Sequence, residues 1–247
     1  MEILAGFSTT QIAAAAGATL LAAFVRGLTG FGFGILLVPI LALALSPVEA
    51  VLLINIMAFL LALSEVRFVL REAARSAYVI AGLLALTTLP GLLLLDATPQ
   101  PLARLLIAIC ALGAFAAVII PKRKQPRPPA PLVTGLTGLS AGVLTGFAAM
   151  PGAPVIPYYV RQDLPRLTAK ASMIGIFGVA ALAGVASGTV TGLLEWRTLL
   201  FGLMLFPLVL LGNWVGSLAF GRISDPVWRA FVGIVLGAAA VAALLKL

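Results

Sequence analysis

The chain has 247 residues, of which 62% are hydrophobic and only 10% charged, with a mean hydropathy of +1.18. That leaves too little polar surface to coat a soluble domain of this size, so the composition excludes a water-soluble globular protein and predicts a polytopic membrane protein. The net charge of +8 does not point to nucleic acid, because Lys and Arg are scattered singly or in short loops, as the positive-inside rule places them.

Outer-membrane-type alternation is absent, so the spans are predicted to be helices of about 20 residues. The start Met1-Glu2-Ile3 lacks a basic signal-peptide opening, and the first apolar segment is expected to be a retained helix. Residues 6–25 are apolar and Ala-rich. They run into RGLTGFGFG (residues 26–34), where four glycines interrupt the hydrophobic run, and residues 35–45 are apolar again. Pro47 followed by Glu49 predicts a helix start, since proline fits the first turn and a carboxylate there meets the positive dipole end. That helix is expected to continue through Asn55 to about Glu65. Further spans are predicted at 76–95, with a kink at Pro90, and at 102–120. The lone Cys110 has no partner for an internal disulfide.

Residues 121–131 (PKRKQPRPPAP) form a basic, proline-rich linker near the midpoint. It divides a first transmembrane repeat (1–120) from a second (132–247). The halves correspond: Leu28-Thr29-Gly30-Phe31 recurs as Leu144-Thr145-Gly146-Phe147, and Pro39, Pro47, Pro90 and Arg104 have counterparts in Pro157, Pro165, Pro207 and Arg229. Later spans are predicted at 171–193, 198–220 and 227–245. Glycines at four-residue spacing (138/142/146, 184/188/192, 212/216, 233/237) predict close helix packing.

Orientation follows from the loops. With the N-terminus outside, Arg67, Arg71, Arg75, Lys122, Arg123, Lys124, Arg127, Arg161, Arg166, Lys170, Arg222 and Arg229 are cytoplasmic, against Arg104, Arg197 and Lys246 outside. Both termini are then external, and the halves have opposite topology. The expected fold is all-α: two inverted repeats, each a glycine-broken hairpin plus three spanning helices, with eight to ten membrane segments. Inverted repeats with helix breaks at matching positions are the plan of secondary transporters, whose breaks meet near the midplane.

These features resemble the sulfite exporter TauE/SafE family of membrane permeases. The resemblance rests on the glycine-rich break from Gly27 to Pro39, its second copy from Gly142 to Pro157, and the later pattern Ala183-Gly184, Gly188, Glu195-Trp196, Pro207, Gly212 and Gly216. It implies an inner-membrane carrier of small anions such as sulfite, organosulfonates or other sulfur-containing organic acids. The second break departs from the glycine-rich pattern, with Ala148-Ala149-Met150-Pro151 in place of further glycines.

An anion leaving water needs donors that replace its hydration without gripping it, and helix N-termini and glycine amides supply them. The substrate site is expected at Gly27, Thr29, Gly30, Gly32 and Gly34 of the first break and Thr145, Gly146, Met150, Pro151 and Gly152 of the second. Arg26 is expected as an anion ligand if the first hairpin re-enters halfway, or as a surface anchor if residues 6–25 cross fully. Lys170 is a vestibule or snorkelling residue, and Asn55 and Ser172 either line the site or join helices. Pro39, Pro90, Pro157 and Pro207 are the expected hinges, and Glu49 and Glu65 the candidate coupling carboxylates. No cofactor, metal or nucleic acid is expected; the partners are the anion and the lipid bilayer. GLSAG (residues 138–142) matches a nucleophile-elbow pattern, but the chain has no histidine to activate a serine, so an enzyme is not expected. The rival readings are a fixed-pore anion channel and a membrane scaffold without transport.

Overall fold

The computed structural model describes residues 8–29, 32–119 and 129–218, together with residues 234, 241, 244 and 245. Most of the expected last span at 227–245, Gly30 and most of the basic linker lie outside the described residues. The described chain forms α1 (Thr9–Thr29), α2 (Phe33–Ala44), α3 (Pro47–Leu63), α4 (Val66–Glu72), α5 (Arg75–Asp96), α6 (Gln100–Ile119), α7 (Pro131–Ala148), α8 (Gly152–Val160), α9 (Arg166–Val190) and α10 (Trp196–Leu218), with no strand among the described residues.

Five of these helices (α1, α5, α7, α9 and α10) contain stretches long and apolar enough to cross a bilayer. Helices α3 and α4 pass the same test as a pair bent by 70°. Outward-facing Leu86 and Leu132 are each 72% exposed, as suits surfaces that meet lipid. The expected all-helical polytopic fold is therefore present.

Local sequence explains the boundaries. Ser46 caps α3 by accepting the Glu49 N–H, while the Glu49 carboxylate accepts the Ser46 N–H, and Pro47 occupies the first turn. Pro39, Pro90, Pro157 and Pro207 all lie inside helices, in α2, α5, α8 and α10.

Two boundaries differ from expectation. Helix α1 continues to Thr29, so Arg26, Gly27 and Thr29 are helical, and α2 starts at Phe33. Helix α7 likewise runs through Thr145 and Gly146 to Ala148, and the second break is residues 149–151. In both places a glycine that looks like a helix breaker sits instead against a neighbouring backbone, where packing outweighs the propensity cost of roughly 1 kcal/mol. A Cβ on Gly27 would overlap the Asn213 carbonyl of α10, and one on Gly146 would overlap the Thr88 carbonyl and Leu92 nitrogen of α5.

The closest helix pairs are built this way. Gly138, Gly142 and Gly146 of α7 lie on the α5 backbone, and Gly91 of α5 lies on Val143. Gly212 and Gly216 of α10 lie on Leu20 and Phe24 of α1. Gly192 is different: it takes φ 72° in the turn after α9 and an added Cβ there would meet open space, so it ends a helix instead of packing one. Contacts between the halves are reciprocal. Helix α1 packs on α10 and α7 on α5; α5 packs on α9 and α10 on α3; α3 and α9 pack on each other. Each short helix after a break, α2 or α8, packs on the helix before it and the helix after it.

Candidate functional site

The two breaks meet. Gly32 adopts φ 93°, a left-handed conformation that favours glycine, and turns the chain into α2. In the second break Ala149 takes φ 48°, an unusual conformation for a residue with a Cβ, held by its N–H donating to the Thr145 carbonyl and by the Met150 N–H donating to Leu144. Gly34, in the first turn of α2, lies so close to the Ala149 carbonyl that a Cβ there would overlap it. Neither α2 nor α8 has a side-chain cap at its N-terminus. The first-turn N–H groups of α2 lack intrahelical acceptors, and the partial positive charge of both helix starts is directed to the same region.

That region is a cavity of about 90 Å³ walled by both breaks and by α3 and α9. At roughly 10–15 Å³ per water on the same measure, it suits a small polyatomic ion better than a nucleotide-sized ligand. Its wall is mostly apolar (Phe33, Ile54, Ile156 and Phe177 among others), with few polar groups. One is Asn55, 3% exposed, whose Nδ2 is buried with no hydrogen-bond partner. A buried amide without a partner is costly, and this one lies against Gly184 of α9, where an added Cβ would strike it.

The cavity wall contains two charged side chains, Arg26 and Glu65. The Arg26 guanidinium donates from Nη1 to Asn213 Oδ1 of α10 at 2.9 Å and from Nη2 to Glu65 Oε2 at 3.2 Å. Helix α1 is unbroken for 21 residues, and Arg26 stands about 25 Å along it. Helix α1 thus has the length and composition to cross a bilayer, and the Arg26 side chain near its end is only 17% exposed.

Of the sequence-expected site residues, Arg26, Gly32, Gly34, Asn55, Met150, Pro151 and Gly152 line this one cavity, as does Glu65. Others stand apart. Gly27 and Gly146 are in helix contacts, and the Thr145 hydroxyl donates to Ala141 within its own helix. Ser172 accepts the Ala74 N–H at 2.9 Å and donates to Thr168, joining α9 to the start of α5. Lys170 is exposed. Glu49 is at the far end of α3, where it accepts a hydrogen bond from Arg197 at 3.3 Å. Asn213 and Ala149 were not legible as site residues. A lone amide in the apolar run of α10 was the available signal for Asn213, and Ala149 carried none.

A helical bundle of this kind, with two helix breaks meeting at a small, largely apolar cavity whose wall holds the Arg26–Glu65 ion pair, has the architecture of a multi-pass membrane protein. Residues 15–243 match the family described as Sulfite exporter TauE/SafE, nearly the whole chain. The chain belongs to that family, and it is accordingly a membrane transporter. No curated protein and no solved structure gives a significant match.

Proposed function

We propose that the chain is a secondary transporter of small oxyanions, sulfite or organosulfonates, working by alternating access around the two opposed breaks. The observation that carries this reading is the shared cavity: two uncapped helix starts, Asn55 and Arg26 border a space of about 90 Å³. Each group donates to or attracts negative charge, and an apolar wall strengthens those interactions by excluding water. A pyramidal oxyanion with three acceptor oxygens matches several donors at once, and the planar guanidinium fork suits two of them.

Reciprocal packing of the halves supports the inverted-repeat plan. If 1–120 and 132–247 are related by a two-fold axis in the membrane plane, each broken-hairpin helix should pair with the fourth element of the other repeat, the bent α3–α4 pair counting as one, as α1 does with α10 and α7 with α5. Rocking of one repeat against the other would then expose the cavity to each side in turn, with external termini and the basic linker in the cytoplasm.

Calorimetric titration of the purified chain with sulfite, thiosulfate, sulfoacetate, taurine and acetate tests the assignment. Arg26→Gln should weaken binding of the best anion by about 30-fold or more, the effect of deleting one partner of a part-buried charge interaction. Equal affinity in wild type and Arg26→Gln would remove the guanidinium from the site.

A further inference from the structure

We infer that Glu65 is a tethered competitor for the transported anion, its carboxylate holding the guanidinium face that a substrate oxyanion must take. The inference rests on the proposed anion site and concerns what sets its affinity. Among the described residues Arg26 has two partners of different character. Asn213 is neutral and comes from the apolar interior of α10, whose backbone is locked against α1 through Gly27, Gly212 and Gly216. Glu65 is charged, 29% exposed at its side chain, and placed at the 70° bend between α3 and α4. The first partner fixes the guanidinium; the second can leave it.

A carboxylate and a sulfur oxyanion present the same chemistry to an arginine: two oxygens, negative charge and spacing that fits the guanidinium fork. Both cannot hold one face of Arg26 together, since like charges in a water-poor cavity repel. Anion binding therefore displaces Glu65, and the lost ion pair is subtracted from the affinity. A carrier benefits from this, because a bare guanidinium in an apolar cavity would retain an anion instead of releasing it. The bend at Ser64 and Glu65 gives the displaced carboxylate a hinge on which to swing.

The sign of the mutational effect separates this role from the alternatives. A residue that merely holds the fold or positions Arg26 weakens binding when altered; a competitor strengthens it. In calorimetric titrations of the full chain with sulfite, Glu65→Gln should bind about fivefold tighter than wild type, the upper end for an ion pair that solvent still reaches. Glu65→Asp, whose shorter arm reaches the guanidinium less well, should bind about twofold tighter, and it carries the test if Glu65→Gln does not fold. The gain should vanish when Glu65→Gln is combined with Arg26→Gln. Unchanged or weaker binding in both Glu65 variants, with Arg26→Gln still defective, would overturn the competitor role and leave the anion site standing. Sulfite binding insensitive to Arg26→Gln would instead overturn the site itself.

Discussion

Gly34→Ala is expected to lower sulfite affinity by at least about tenfold, equivalent to 1.4 kcal/mol, while the helices remain folded. The added methyl would overlap the carbonyl oxygen of Ala149. Both sides of that contact are backbone, and Ala149 is already held at φ 48°, so neither can step aside by changing a rotamer. The two breaks must separate. Since the first-turn amides of α2 and the start of α8 act on the ligand only while they share one cavity, separation moves donors off their acceptors, and such sites tolerate only about 0.5 Å of misplacement. Gly32→Ala is not equivalent. Its Cβ would enter open space, and any loss there would come from the left-handed φ of 93° alone. Titrating the two variants side by side separates a contact effect from a backbone effect, and an unaffected Gly34→Ala would mean that the close approach of the breaks does not form the site.

The second large effect falls on folding. Gly146→Val should destabilise the protein by about 3 kcal/mol or more, the upper range for overpacking a close contact. By soluble-domain scaling that is roughly 10 °C of melting temperature. The new side chain would strike the Thr88 carbonyl and the Leu92 nitrogen on α5, forcing α7 away along a contact that also includes Gly138, Gly142 and Gly91. Gly82→Ala on the same α5 is the control. Nothing lies within 4 Å of its added Cβ, so it should be neutral or gain up to about 1 kcal/mol of helix propensity. Melting curves in detergent would read both, and a Gly146→Val protein as stable as wild type would refute the packing role.

These glycines show where sequence reading succeeds and where it stops. Hydrophobic run length is a local property, so the spans were legible, as was the α3 start, because the capping box of Ser46 and Glu49 is written in consecutive residues. The breaks were located but drawn too wide. A glycine is the same letter whether it frees the backbone or admits a neighbouring helix, and the difference for Gly27 and Gly146 lies in α10 and α5, far along the chain. The separate α4 was missed because its seven residues, VRFVLRE, continue an apolar-basic pattern with no proline or glycine to mark the bend.

At the site, Arg26 was conspicuous as a lone cation in an apolar region, but its partners lie 39 and 187 residues away. No local spacing could pair it with Glu65 and Asn213. Glu49 and Glu65 were equivalent as helix-end carboxylates in the sequence. Only the tertiary packing distinguishes them, bringing Glu65 into the cavity wall beside Arg26 and leaving Glu49 with Arg197 at the opposite end.

Counterflow in liposomes containing only the purified chain tests the transport mechanism most directly. With a site that alternates between the two sides, uptake of labelled sulfite should saturate with concentration and accelerate when unlabelled sulfite is loaded inside, because the returning carrier is then occupied. Uptake that rises linearly and ignores the sulfite inside would contradict alternating access and point to a fixed pore; no uptake above protein-free liposomes would contradict transport by this chain alone.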